Sequence, residues 1–281
     1  MTTRALVLAG GGNAGIGWET GVLRGLLDSG LDVLDADLVV GTSAGASVGA
    51  QITSGVALTD LYEQRLAAGA LASELPVPDD DGSRLAAIGA VLAGTGSMQE
   101  VCVRIGALAL ASRTVTEEAR RAVIAARLPA HAWPERRLLV TAVDAASGEL
   151  RCFDRSSGVS LVDAVAASCA VPGVWPPVTI DGRRYIDGGV RSIANVDLAE
   201  GCDRVLVLAP FPDLEVTAFG GGLRAQIAGL SPSRVHLVVP DAASRAAFGN
   251  NALDARAIAP SARAGREQGR GVVEEVREAW R

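Results

Sequence analysis

Twice within the first fifty residues, a short apolar run ends in glycine and is followed by a helix-forming segment. Arg4 to Ala9 (RALVLA) is apolar enough to be a buried strand, and Gly10 to Gly15 (GGGNAG) follows it as a glycine-rich loop. Val22, Leu23, Leu26 and Leu27 then recur at helical spacing, and Gly30 is placed to cap that helix. Asp37 to Val40 is a second buried strand, running into Gly41-Thr42-Ser43-Ala44-Gly45 and an Ala/Val-rich helical segment. Strands joined through a helix run parallel, and strands without a polar face need cover on both sides. The opening therefore predicts an α/β chain with crossover helices on a parallel sheet.

The rest of the chain fits that frame. Residues 55–134 read as mainly helical, a helical insertion that is either a cap over a pocket or part of the core, with a loop at Pro76 to Gly82. Strand patterns return at Arg137–Asp144, Leu150–Phe153, Arg204–Ala209 and Arg234–Val239. Leu161–Ser168 reads as a short helix. Val178–Ile186 reads as a hairpin turning on Asp181-Gly182. Residues 241–281 form a C-terminal helical segment, charged from Ala259 onward. With no internal repeat or low-complexity tract, residues 1–281 are expected to form one domain.

Composition excludes several classes. Hydrophobic residues make up 49% and charged residues 21%, enough for a sizeable core and against disorder. All 26 basic residues are arginine, which fits a coding bias. The net charge of -6 argues against nucleic acid as a partner. Cys102, Cys152, Cys169 and Cys202 form no C-x-x-C pair and have only two histidines to help them, so no metal site is expected. Free thiols, no secretory leader and no unbroken apolar span point to a soluble, cytoplasmic protein.

Three motifs carry chemistry. The first is G-x-S-x-G at 41–45, where Ser43 sits between a strand and a helix. An acyl-transfer nucleophile needs a sharp turn there, and Gly41 and Gly45 remove side chains that would clash. The second is the loop Gly10-Gly11-Gly12-Asn13-Ala14-Gly15, whose backbone amides can face an anion, either a diphosphate or an oxyanion. A dinucleotide site would place an acid at the end of the second strand, where this chain has Gly41-Thr42-Ser43, so the oxyanion reading is favoured. The third is Asp187-Gly188-Gly189 after the hairpin. Ser43 needs a base, and two arrangements are open. One is a triad with an Asp and His236, although His236 lies inside a strand pattern; His131, in a Pro-flanked segment, is the other histidine. The alternative is a dyad in which a carboxylate takes the proton directly, with Asp187 as its best candidate.

In this order and spacing, the three motifs resemble the patatin-like phospholipase family. The stretch Ala167 to Gly173 and the pair Pro176-Pro177 before Asp187 add to the likeness, which covers roughly Arg4 to Ala209. The resemblance implies a three-layer α/β sandwich with a mostly parallel central sheet. It implies a serine lipid acyl hydrolase of the phospholipase A, lysophospholipase or carboxylesterase type. Ser43 would be the nucleophile and Asp187 its base. Amides of Gly10, Gly11 and Gly12 would form the oxyanion hole, with Gly15, Gly41, Gly45, Gly188 and Gly189 as motif glycines. No cofactor is implied. The partner would be a lipid or acyl-ester substrate, met through transient peripheral contact with a membrane. The alternative is a non-catalytic lipid- or acyl-binding protein on the same fold. Many members carry a basic residue where this chain has Ala14, which leaves head-group preference open; Arg24, Arg183, Arg184 and Arg191 are candidates to supply charge instead.

Overall fold

The computed structural model of the protein describes residues 2–67, 74, 75, 90, 91, 96–212 and 222–281. The expected loop Pro76–Gly82 lies outside the described residues. Among the described residues, eight strands join in one sheet: β1 (Arg4–Leu8), β2 (Leu38–Thr42), β3 (Arg137–Asp144), β4 (Leu150–Phe153), β5 (Val178–Ile180), β6 (Arg183–Asp187), β7 (Arg204–Leu208) and β8 (Arg234–Val238). The pairing path is β5-β6-β3-β2-β1-β7-β8, with β4 also on β3. From β3 through β2, β1 and β7 to β8 every pairing is parallel. The remaining pairings, all around β3, β4, β5 and β6, are antiparallel.

The described helices are α1 (Gly12–Asp28), α2 (Ala44–Ile52), α3 (Leu58–Leu66), α4 (Met98–Ala111), α5 (Glu117–Arg127), α6 (Leu161–Ser168), α7 (Leu223–Ala228), α8 (Ala242–Phe248), α9 (Ile258–Gly271) and α10 (Val273–Trp280). Side chains alternate across the central strand. Leu6 and Leu8 enter one core with α1, α2 and α6, whereas Ala5, Val7 and Ala9 enter another with Ala194, Val196 and Leu223. Both faces are therefore covered, which is why the strand sequences are apolar throughout. Helix α1 stops as its sequence predicts: Gly30, at φ 76°, donates to the Leu27 carbonyl and Leu31 to that of Leu26.

Two features go beyond the sequence reading. The glycine stretch 10–15 is a much shorter loop than expected, because α1 already begins at Gly12. The four residues from Gly12 to Gly15 are its first turn, where amides need no intrahelical acceptor and glycine is tolerated. Second, the charged C-terminal segment is no solvated tail. Helix α9 lies against α1 backbone to backbone. A Cβ on Gly17, Gly21 or Gly25 would stand 2.1–2.3 Å from a carbonyl oxygen of α9, and one on Gly265 or Gly269 would stand 2.3–2.4 Å from a carbonyl of α1. Of the charges on α9, Arg263 and Glu267 are exposed, whereas Arg266 and Arg270 flank the contact and pair with Asp28 at the C-terminal end of α1.

Sheet register explains how distant motifs meet. Thr141 of β3 faces Cys152 on one edge and Thr42 on the other, while Ala142 faces Arg151 and Asp187. With β4 filling one edge, β2 and β6 must share the other. They approach end to end, β2 rising to Thr42 and β6 descending to Asp187 at the next rung. The residue after β2 is Ser43.

Candidate active site

The turn between β2 and α2 is sharp. Ser43 takes φ 54°, ψ -112°, a conformation unfavourable for a residue with a Cβ. The surroundings hold it there. Its amide donates to Ser168 Oγ at 2.9 Å, and its carbonyl accepts from Cys169 Sγ at 3.2 Å. Gly45 must be glycine because a Cβ there would stand 2.0 Å from the Leu8 carbonyl oxygen; at Gly41 it would meet the Ala46 Cα at 2.6 Å. Ser43 is only 7% exposed, so its hydroxyl faces a cleft rather than bulk water.

Beside Ser43 stands Asp187, 5% exposed at the end of β6. Its Oδ1 accepts from the Gly189 amide at 2.8 Å, and its own amide donates to the Ala170 carbonyl. The Ser43 side chain reaches it as a hydrogen-bond donor. Burial pushes the Asp187 carboxyl up from its ordinary 3.8 to about 7, against the lowering effect of the Ser43 and Gly189 hydrogen bonds. Gly188 lets the chain turn tightly, since a Cβ there would stand 2.3 Å from Thr141 Oγ1.

Of the three glycine amides expected at the oxyanion position, Gly10 does not qualify. Its N–H donates to the Ile193 carbonyl at 2.7 Å and is already committed. The amides of Gly11, Gly12 and Ala44 donate to no acceptor among the described residues. Gly11 and Gly12 open α1, and Ala44 opens α2, so two helix N-termini converge beside Ser43. Gly15 packs 3.2 Å (from an ideal Cβ) against Pro210 and 3.3 Å against Ala44, which lets α1 and α2 approach.

Sequence reasoning missed Asn195. It is fully buried at φ 47°, a conformation asparagine tolerates. Its Nδ2 lies 3.0 Å from Thr42 Oγ1, 2.8 Å from the Ser192 carbonyl and 3.3 Å from that of Gly188. It thus ties the residue before Ser43 to the residue after Asp187. An asparagine six residues after a D-G-G turn was the available signal, but nothing local marks it out.

Neither histidine shares the site. His131 is exposed against the Ala125 carbonyl, and His236 sits in β8 opposite Leu206. None of Arg24, Arg183, Arg184 or Arg191 lines the cleft; each is paired elsewhere, Arg24 with Asp28, Arg183 with Asp144, Arg184 with the Pro177 carbonyl and Arg191 with Asp197. The guanidinium groups that do line it are Arg120 and Arg127 of α5, which share one small opening with Ser43, Ala44, Gly12 and Trp175.

The fold is thus an α/β class with a mostly parallel sheet flanked by helices. A sequence model of the patatin-like phospholipase family matches residues 6–200, and the protein belongs to that family. The solved structures similar to it include the following two. VipD from Legionella pneumophila is 14% identical, with 98% of this chain and 67% of that chain covered and a TM-score of 0.49. The type III effector protein ExoU is 16% identical, with 98% and 53% covered and a TM-score of 0.44, so this chain spans about half of ExoU's length. No curated protein sequence matches the chain.

Proposed function

We propose that the protein is a serine acyl hydrolase that cleaves lipid esters through a dyad of Ser43 and Asp187. Membership in the patatin-like phospholipase family implies lipid acyl hydrolase activity. The observation that carries the dyad is the Ser43 hydroxyl, held on a strained backbone turn, set against a buried carboxyl that burial raises to about 7. An ordinary carboxylate is too weak a base for a hydroxyl. One displaced to near neutrality is still substantially ionised at pH 7 and accepts a proton more readily.

The chemistry follows from that pair. Ser43 Oγ attacks the ester carbonyl carbon while its proton passes to Asp187. Negative charge gathers on the carbonyl oxygen, where the Gly11, Gly12 and Ala44 amides are placed to receive it. The intermediate collapses, Asp187 returns the proton to the departing alcohol, and an acyl-Ser43 ester remains. Water then attacks that ester, giving its proton to Asp187, which returns it to Ser43 as the fatty acid leaves. Gly41 and Gly45 hold the elbow, and Gly188 and Gly189 hold Asp187. No described helix is long and apolar enough to cross a membrane, so a bilayer substrate would be met by peripheral contact.

The test compares hydrolysis of a chromogenic medium-chain ester by the wild type, Ser43→Ala and Asp187→Asn. Each variant should lose about 1,000-fold or more in kcat, and a fluorophosphonate probe should label only chains that retain Ser43. Equal rates in all three would refute the dyad. Binding of fatty acyl ligands without labelling would favour the non-catalytic reading.

A further inference from the structure

The face that α5 turns toward Ser43 carries two arginines. Arg120 and Arg127 are seven residues apart, two turns of helix, and so point the same way. Arg120 is 4% exposed and lies flat on Trp175, its guanidinium carbon 3.8 Å from the ring centroid. Arg127 is half-buried and lies 3.5 Å from Ser47 Oγ, one turn along α2 from Ser43. Among the described residues, a single acid ion-pairs with them: Glu74 gives one carboxylate oxygen to Arg120 and the other to Arg127. A third guanidinium, Arg65, is buried close enough for the charge of Arg127 to act on it.

This cluster is over-supplied with donors. Both oxygens of Glu74 are used, yet the Nε of Arg120 is buried without a hydrogen-bond partner among the described residues. A buried donor left unmade is costly, and a structural ion pair needs only one arginine. A carboxylate has no third oxygen to offer, whereas a phosphate group does, and guanidinium forks match phosphate geometry.

We infer that Arg120 and Arg127 form an anion subsite beside Ser43, in which Glu74 stands where the phosphate group of an acyl-ester substrate binds. Substrate entry exchanges one anion for another: the phosphate takes both arginines and the spare Nε, and Glu74 swings out. The one-turn offset between Ser47 and Ser43 suits a phosphate joined to the ester through a short two- or three-carbon linker. The cleft would then prefer phosphate-bearing acyl esters over neutral ones of the same chain. This inference rests on the hydrolase reading for its chemistry but not for its binding.

The experiment measures kcat/KM on a 1-acylglycerol and on the same compound carrying a 3-phosphate. The wild type should favour the phosphorylated ester by about tenfold or more. Arg127→Gln should abolish that ratio. Glu74→Gln, which removes the competing anion, should lower KM for the phosphorylated ester, a gain that a merely structural acid would not produce. Calorimetry with Ser43→Ala reads binding of the same two ligands without turnover. If Ser43→Ala binds the phosphorylated ligand in preference and the wild type hydrolyses neither ester, the subsite stands and the hydrolase reading falls. If both esters are hydrolysed with no preference, or with a preference that Arg127→Gln leaves intact, the subsite is overturned and the hydrolase stands. A higher KM in Glu74→Gln would also overturn it.

Discussion

Replacing Asp187 by asparagine should inactivate the protein and, above neutral pH, stabilise it. The carboxyl is 5% exposed, and burial raises it from 3.8 to about 7. Below pH 3.8 the group is protonated in both folded and unfolded chains, and burial costs nothing electrostatic. As pH rises from about 4 to about 7 the unfolded chain loses this proton and the folded chain keeps it, so stability declines. Above about 7 both forms are ionised and the penalty is constant. At about 1.4 kcal/mol per pH unit, the difference between 3.8 and about 7 corresponds to about 4 kcal/mol. Asparagine keeps the shape and can accept the Gly189 amide, but never ionises. Urea unfolding of wild type and Asp187→Asn at a series of pH values checks this. Other titrating groups, including Glu19, whose carboxyl burial holds well above the ordinary range, cancel in the difference between the two proteins. That difference should move in favour of the variant by about 4 kcal/mol between pH 4 and pH 8. A flat difference, or one that moves the other way, would refute both the raised carboxyl and the account of why a neutral-pH base is available. The same group predicts that wild-type kcat rises with pH and levels off above about 7.

Substitutions at three further positions have definite expected outcomes. Gly21→Val places side-chain atoms where even a Cβ would be 2.2 Å from the Ala262 carbonyl oxygen, so α9 must part from α1. The expected loss is about 3 kcal/mol, the top of the overpacking range, read as a fall in Tm of about 6 °C or more. Asn195→Ala removes the bond to Thr42 and should cost about 1–3 kcal/mol in urea unfolding while lowering kcat more than it raises KM. Asn195→Gly relieves the φ of 47° without restoring the bond, so it should recover some stability but not kcat. Gly45→Ala should leave little folded protein, because the new methyl would sit 2.0 Å from the Leu8 carbonyl oxygen; a soluble, active variant would contradict the elbow packing.

The sequence by itself determined the α/β class, the strands, the crossover start, the hairpin turn at Asp181-Gly182 and the two ends of the candidate site. These are local quantities: apolar runs, helical spacing, and glycines where a side chain cannot fit. Asp181 at φ 50° and Gly182 at φ 75° show how completely a two-residue turn is encoded in its own residues. What only the tertiary structure decided depends on register and on contacts between distant segments. The shared edge of β3 brings Ser43 to Asp187, and nothing near either residue states that β2 and β6 meet there. Gly10 looked equivalent to its neighbours until the Ile193 carbonyl claimed its amide. The glycines of α1 became legible only against the carbonyls of α9, some 240 residues away in the chain. Nothing local marks out Arg120 and Arg127, because burial, the Trp175 face and the bridging Glu74 are properties of the assembled cleft. A residue's own chemistry is written in the chain; which partner satisfies or strains it is settled by the geometry of the folded sheet.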